Sequence, residues 1–196
     1  PRVEKLKVGP YTAGDDVDYG PVVTAAAKKN IERLVQSGVD QGADLVVDGR
    51  NFSLQGYENG FFVGPSLFDN VTPDMEIYKT EIFGPVLSTV RAESYEEALK
   101  LAMDHEYGNG TAIFTRDGDT ARDFASRCNI GMVGINVPIP VPLAYFTFGG
   151  WKKSGFGDLN QHGPDAFRFY TRTKTVTSRW PSGIKEGAAF NFKAMD

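Results

Sequence analysis

A glutamate and a phenylalanine stand just before a Gly-Pro turn in the stretch YKTEIFGPVLSTV, from Tyr78 to Val90. A carboxylate such as that of Glu81 could accept hydrogen bonds from a ligand, and an aromatic ring such as that of Phe83 could pack against one. A glutamate just before a strand is also commonly exposed to solvent, and an aromatic residue beside Gly-Pro commonly packs against the turn. The stretch alone therefore leaves a ligand contact and surface packing open.

The single cysteine, Cys128, is the obvious candidate for a nucleophile, but its spacing favours core packing. Within DGDTARDFASRCN it follows Ala121, Phe124 and Ala125 at helical intervals, so these side chains share one face of a predicted helix. A free cysteine on such a face packs as a small hydrophobe. No His or Lys lies near it in sequence to lower the pKa of its thiol. We therefore predict that Cys128 belongs to the core.

Neither the histidines nor the glycines form a recognisable site. His105 and His162 lie far apart and at no metal-ligand spacing from another His, Cys or acidic pair, so no zinc site is predicted. The Gly-Phe-Gly run at 155–157 lacks the third glycine of a dinucleotide fingerprint, because position 160 is Asn and no clear helix follows. These glycines are predicted to serve backbone turns.

Composition narrows the class of partner. The sequence has 196 residues, of which 41% are hydrophobic and 23% charged, enough for a sizeable core. A net charge of −4 without a basic cluster disfavours nucleic acid and anionic membranes. No apolar run approaches the roughly 20 residues that span a bilayer, and no signal peptide is visible. The single cysteine favours a reducing compartment, so we expect a cytoplasmic location, or the mitochondrial matrix in a eukaryote.

Strand and helix patterns alternate along most of the chain and must position the candidate residues. Thr24 caps a helix predicted over 24–39, the strand ADLVVDG follows, and an apolar segment at 60–68 is broken by Gly-Pro. Strands at PVLSTVRA, GTAIFT and GMVGIN then alternate with two helices, the first opened by a capping box of Ser94 and Glu97. This alternation predicts an α/β fold with a mostly parallel sheet covered on both faces.

The pattern changes after the last of these strands. Residues 137–158 hold three prolines, four glycines and several aromatics, which exclude a regular element, yet they are too apolar for a flexible linker. They are predicted to form a long ordered loop of the kind that carries function. The segment TRTKTVTSRW, from Thr171 to Trp180, places Thr at alternate positions and suits a strand that pairs outside the alternation. A tail follows from position 181.

Six motifs in order resemble the aldehyde dehydrogenase superfamily over nearly the whole chain. They are VGP with DYGPVV, GFFVGPSLF, EIFGPV, YGNGTAIFT, FGGWKKSGFG and YTRTKTVT. One departs from the family pattern, since Asn109 replaces the leucine of a Tyr-Gly-Leu motif. INVPIPVPLAYFTFGGWKKSGFGDLNQHG and FYTRTKTVTSRWPSG are similar to the methylmalonate-semialdehyde dehydrogenase branch, which oxidises the aldehyde and acylates coenzyme A. Asp158 and Leu159 agree with that branch, where most of the superfamily carries Arg-Glu.

The resemblance implies an NAD-dependent, CoA-acylating dehydrogenase of malonate and methylmalonate semialdehydes, with this chain as its C-terminal portion. Glu81 would hold the two hydroxyls of the nicotinamide ribose, and Phe83 would lie against the nicotinamide end of the cofactor. Phe148 would form part of the aldehyde pocket wall. Asn136 and Lys152 would organise the loop.

The resemblance also implies a division of the chain. Residues 1–165 would form the C-terminal part of the catalytic α/β domain, with the active-site loop at 137–158. Residues 166–196 would hold a strand, 171–180, that joins subunits of a homo-oligomer, followed by the tail. The family's nucleophilic cysteine would lie upstream, so the isolated chain would be inactive and Cys128 would not be the nucleophile. A non-catalytic binding or assembly module with the same motifs remains an open alternative.

Overall fold

The computed structural model describes residues 1–180, in which short helices and strands alternate; the predicted tail at 181–196 lies outside them. The helices are α1 (Ala25–Asp40), α2 (Glu76–Lys79), α3 (Tyr95–Asp104), α4 (Gly118–Arg127) and α5 (Ala166–Tyr170). The strands are β1 (Asp44–Val47), β2 (Ser66–Asp69), β3 (Val86–Ser88), β4 (Tyr107–Gly108), β5 (Gly110–Ile113), β6 (Met132–Ile135) and β7 (Trp151–Lys152). Short 3-10 turns lie at Val3–Lys5, Tyr11–Asp16 and Gly163–Asp165.

Side-chain caps begin the three long helices. Thr24 Oγ1 accepts from the N–H of Ala27 at 3.1 Å at the start of α1. Ser94 Oγ accepts from the N–H of Glu97 at 3.2 Å at the start of α3. The Asp117 carboxylate accepts from two N–H groups in the first turn of α4. Such caps contribute about 1 kcal/mol each, and those at Thr24 and Ser94 confirm the predicted helix starts.

The strands form three small sheets, so the predicted single, mostly parallel sheet is wrong for residues 1–180. β1 pairs antiparallel with β2, and β2 pairs parallel with β3. β5 pairs parallel with β6, whereas β4 pairs antiparallel with β7. Parallel pairing occurs where a helix supplies the crossover, α2 between β2 and β3 and α4 between β5 and β6. No helix separates β1 from β2, and that pair is antiparallel. The α/β content itself is confirmed.

Two hydrophobic clusters hold these elements. The first packs α1 and α2 against β1–β3, and its buried members are Ile31, Leu34, Val35, Ala43, Val63, Phe68, Val71, Met75 and Ile77. The second lies between α3, α4 and the β5–β6 pair, and its buried members are Leu99, Phe124, Cys128 and Ile130. The predicted α4 stripe is confirmed at Ala121, Phe124 and Cys128, whereas Ala125 is exposed.

Residues 171–180 are exposed and contain no assigned strand. No strand within residues 1–180 pairs with this segment. A β-strand needs a neighbouring strand to satisfy its backbone N–H and C=O groups. The pairing of this segment with another subunit stays a prediction. None of the helices in the described part of the chain is long and apolar enough to cross a membrane.

Candidate functional site

Glu81 and Phe148 line one cavity of about 550 Å³, although they belong to distant segments of the sequence. The other lining residues are Tyr78, Lys79, Thr80, His105, Tyr107, Asn109 and Ser154. Glu81 comes from the turn after α2, and Phe148 from the loop before β7. The structure therefore brings together two of the three site residues that the motifs single out.

Helix α2, which leads into Glu81, is fixed to α1 by polar contacts. The Glu76 carboxylate accepts from Arg33 Nη1 at 3.0 Å and from Ser37 Oγ at 2.8 Å. The backbone N–H of Glu76 donates to Gln41 Oε1 at 2.8 Å. The hydrogen bonds from Ser37 and Arg33 lower the pKa of the Glu76 carboxyl below its ordinary value. These contacts anchor the short helix α2 to α1.

Glu81 differs from Glu76 because its carboxylate is exposed and makes no hydrogen bond or ion pair within residues 1–180. Its turn is pressed against α1, since a Cβ at Gly84 would lie 2.6 Å from Ile31 Cδ1. Only glycine permits this close approach without a shift of the neighbouring side chain. The turn that follows Glu81 is therefore fixed against α1, and the carboxylate remains available to a ligand.

Phe83 does not line the cavity that Glu81 shares with Phe148. Its ring is 81% exposed, and its φ of 53° lies in the left-handed region, which non-glycine residues rarely adopt. Such a conformation turns the backbone sharply before Gly84. The expected contact of Phe83 with the cofactor stays a prediction.

His105 joins the two walls of the cavity. Its Nδ1 accepts from the N–H of Tyr107 at 3.1 Å, so its Nε2 donates to the carbonyl of Tyr78 at 3.3 Å. The rings of His105 and Tyr78 meet edge to face with centroids 5.2 Å apart. This structural role was missed by the sequence reasoning, which considered His105 only as a metal ligand. The position of His105, between the predicted helix and the YGN motif, is the sequence feature from which this role could have been predicted.

Lys152 fixes the Phe148 loop to the end of α3. Its Nζ donates to the carbonyls of Met103 at 2.6 Å, His105 at 3.0 Å and Ala102 at 3.5 Å. A cation at a helix C-terminus binds carbonyls that have no partner inside the helix and interacts favourably with the helix dipole. This agrees with the organising role predicted for Lys152.

Asn136 plays a similar part at the end of β6. Its Oδ1 accepts from the N–H of Thr115 at 2.9 Å, and its Nδ2 donates to the carbonyl of Thr115 at 3.0 Å. Its φ is 59°, a conformation that asparagine tolerates better than most residues. The pair of bonds joins the start of the loop to the segment after β5, again as predicted.

The glycines in and around the loop allow close approach of neighbouring backbone and side-chain atoms. A Cβ at Gly131 would lie 2.1 Å from the carbonyl oxygen of Gly149, and a Cβ at Gly149 would lie 1.6 Å from Asn160 Oδ1. Phe148 precedes this close packing, and its ring meets that of His162 edge to face at 5.8 Å. Gly157 has a φ of 75°, which agrees with the predicted turn role of the glycine run.

Cys128 lies in the core, as predicted, and lines no part of the cavity. It is 5% exposed and packs with Leu99, Phe124 and Ile130. Burial raises the pKa of its thiol, and the charge of Lys152 lowers it by a smaller amount, so the net shift is upward. A buried thiol with a raised pKa does not form a nucleophilic thiolate near neutral pH.

Comparisons with known proteins agree with the motifs. The family model described as "Aldehyde dehydrogenase family" matches residues 1–176. Malonate-semialdehyde dehydrogenase of Pseudomonas aeruginosa is 57% identical over 196 residues, which are 100% of this chain and 39% of that protein. The mitochondrial, acylating methylmalonate-semialdehyde dehydrogenase of Arabidopsis thaliana is 51% identical over 180 residues, 91% of this chain and 30% of that protein.

A solved structure from Sinorhizobium meliloti 1021 has the same fold over nearly all of the chain. It is described as a "putative methylmalonate-semialdehyde dehydrogenase" complexed with NAD, and it superposes with a TM-score of 0.87 at 72% identity. The match covers 95% of this chain and 38% of that one. The chain therefore spans only 30% to 39% of the length of these relatives.

Proposed function

The chain belongs to the aldehyde dehydrogenase family, and from this membership we propose that it is the C-terminal part of an NAD-dependent, CoA-acylating dehydrogenase of malonate or methylmalonate semialdehyde. One observation carries the proposal. Glu81 and Phe148, which the family motifs assign to the cofactor and the aldehyde, line one cavity. The named activities of the relatives support the substrate class, the acyl transfer and the cofactor.

The donors and acceptors of the cavity fit the ribose end of a nicotinamide dinucleotide. The unpaired Glu81 carboxylate can accept hydrogen bonds from both ribose hydroxyls, and the lining of the cavity also includes Phe148. NAD would supply the hydride acceptor of the oxidation. The chain's own residues would bind and orient: Glu81 holds the ribose, Phe83 offers an exposed ring to the nicotinamide end, and Phe148 bounds the aldehyde.

The acyl-forming thiol belongs, in this proposal, to the part of the enzyme outside this chain. Cys128 is buried with a raised thiol pKa and does not reach the cavity. Residual positioning cannot replace a covalent nucleophile, so the isolated 196-residue chain is expected to produce no NADH. Substitution of Cys128 by Ala in the full-length enzyme is expected to leave turnover essentially unchanged.

The loop at 137–158 is proposed to meet that other part of the enzyme. It exposes large apolar side chains, among them Ile139 at 72%, Leu143 at 71% and Tyr145 at 80%. Several large apolar side chains exposed on one loop are typical of a contact surface. The relatives are more than twice as long as this chain, which leaves enough protein to cover the loop.

Residues 171–180 are proposed to add a strand to another subunit of a homo-oligomer. Val176 is 76% exposed and Trp180 is 89% exposed, and the segment alternates Thr with other side chains. Pairing between chains would satisfy its backbone groups and bury these side chains. Deletion of 171–196 from the full-length enzyme is expected to lower the mass measured by light scattering. An unchanged oligomer would remove this role.

The test of the activity uses the full-length enzyme with NAD, CoA and each semialdehyde. We expect NADH formation with malonate or methylmalonate semialdehyde, slower turnover when CoA is omitted, and release of an acyl-CoA product. The isolated chain and the Cys128→Ala enzyme serve as controls. Absence of NADH from a folded full-length protein would contradict the proposal and favour a binding or assembly module.

A further inference from the structure

Asn109 lies at the junction of two cavities. It lines the Glu81–Phe148 cavity and also an adjoining one of about 210 Å³ formed by the glycine-rich loop. Its side chain makes no hydrogen bond within the part of the chain that the structure describes. One carboxamide, with an acceptor oxygen and two donor hydrogens, is therefore free at the wall of the proposed cofactor site.

The backbone around Asn109 is fixed on both sides. Its carbonyl accepts from the N–H of Met132 at 3.1 Å. The preceding Gly108 donates to Ser154 Oγ at 3.1 Å and accepts from the N–H of Gly131 at 3.0 Å. Such a framework fixes the backbone of Asn109, so a ligand contact needs to order only the side chain.

The residue type is informative because the resembling motif has leucine at this position. Leucine and asparagine have the same shape, with two heavy atoms on a branched Cγ, so the exchange changes polarity and not volume. Apolar packing against a ligand ring does not require a carboxamide. An Asn109 carboxamide without a partner would lose its hydration when a ligand covers it, which is unfavourable. The polar group therefore calls for a polar partner on the ligand.

We propose that Asn109 binds the carboxamide of the nicotinamide ring and makes the site selective for it. The inference rests on the proposed function, in which Glu81 holds the ribose bonded to that ring. Two carboxamides pair reciprocally: the ligand's NH2 group donates to Asn109 Oδ1, and its carbonyl accepts from Asn109 Nδ2. Phe148, on the same cavity wall, supplies apolar contact beside this pair.

The test compares two ligands on three full-length proteins: the unchanged enzyme, Asn109→Leu and Asn129→Leu. The ligands are NAD and its 3-acetylpyridine analogue, in which a methyl group replaces the carboxamide NH2. Asn129 is the matched control because it is exposed and lines neither cavity. Dissociation constants are measured by calorimetry, without aldehyde or CoA, and the KM for CoA is measured separately in the complete reaction.

We expect Asn109→Leu to lower the preference for NAD over the analogue by about 5-fold, the effect of one net hydrogen bond, and Asn129→Leu to leave it unchanged. An equal preference in all three proteins overturns the inference while NAD binding and the proposed function stand. Unchanged NAD binding together with a raised KM for CoA in Asn109→Leu also overturns it, since the contact would then belong to the acyl acceptor. Failure of the unchanged enzyme to bind NAD overturns both.

Discussion

The α1–α2 contact and the Glu81–Phe148 cavity are neighbours along the chain, yet they differ in what their polar side chains bind. Glu76 accepts hydrogen bonds from Arg33 and Ser37. Glu81, just beyond the end of α2, binds nothing within residues 1–180. Two carboxylates so close in sequence therefore have opposite surroundings.

The difference separates side chains that stabilise this part of the molecule from side chains that can bind a ligand. A carboxylate bound by protein donors stabilises the contact it belongs to, whereas an unbound one adds little to the fold and is available to a ligand. The same division holds around the cavity. Lys152 and Asn136 bind backbone groups and fix the loop that carries Phe148, while Glu81 and Asn109 line the cavity and have no partner within residues 1–180. Substitutions should separate the two groups.

The largest effect on stability is expected at Lys152, on the bound side of the comparison. Lys152→Met leaves three carbonyls at the end of α3 without their charged donor, which should lower the free energy of unfolding by about 3 kcal/mol. The adjacent Lys153→Met is the matched control. Lys153 pairs with Glu106 at the surface, where ion pairs contribute little. Equal unfolding midpoints for the two variants would contradict the assignment of Lys152.

A smaller loss is expected at Asn136, where conformation and hydrogen bonding can be separated. Asn136→Ala removes two hydrogen bonds to Thr115 and places an alanine at a φ of 59°. Together these changes should lower the free energy of unfolding by about 2 kcal/mol. Asn136→Gly removes the same hydrogen bonds, but glycine adopts this φ without strain, so the loss of stability should be smaller. Thermal unfolding of both variants measures the difference. A glycine variant no more stable than the alanine variant would show that the backbone conformation contributes nothing.

The smallest effect is expected at Glu76 and should depend on pH. Hydrogen bonds from Ser37 and Arg33 lower the pKa of its carboxyl, so the contact stabilises the fold above the ordinary carboxyl pKa. That contribution is lost as pH falls through the lowered folded-state value. Glu76→Gln should therefore lower the unfolding temperature at neutral pH, and its deficit should shrink in acid. A deficit independent of pH would show that the charge of Glu76 is not what stabilises the contact.

Local features of the fold could be predicted from the sequence because they depend on near neighbours. Thr24 and Ser94 cap helices through residues three positions away, and the helical spacing of Cys128 placed it in the core. Sheet pairing could not be predicted, since it depends on which distant strands meet. One large sheet and the three small sheets found here would both produce the same alternation of strands and helices along the sequence.

The candidate site was predictable only in part, for the same reason. Motif resemblance identified Glu81 and Phe148, and the fold places both on one cavity. The tautomer of His105 follows from bonds to Tyr78 and Tyr107, and no sequence pattern records such contacts. Asn109 was visible as a departure from a motif, but its free side chain beside the cavity became apparent only in three dimensions.

The comparison of Glu81 with Glu76 gives the most direct test of the proposed cofactor site. In the full-length enzyme, Glu81→Gln keeps the shape but loses the charge and one acceptor, which should weaken the ribose contact by about 1–3 kcal/mol. The account predicts a fall in kcat/KM for NAD of about 5- to 150-fold with an unchanged unfolding temperature. Glu76→Gln should give the reverse, with kinetics for NAD intact. Unchanged kcat and KM for NAD in Glu81→Gln would contradict the account and remove Glu81 from the cofactor site.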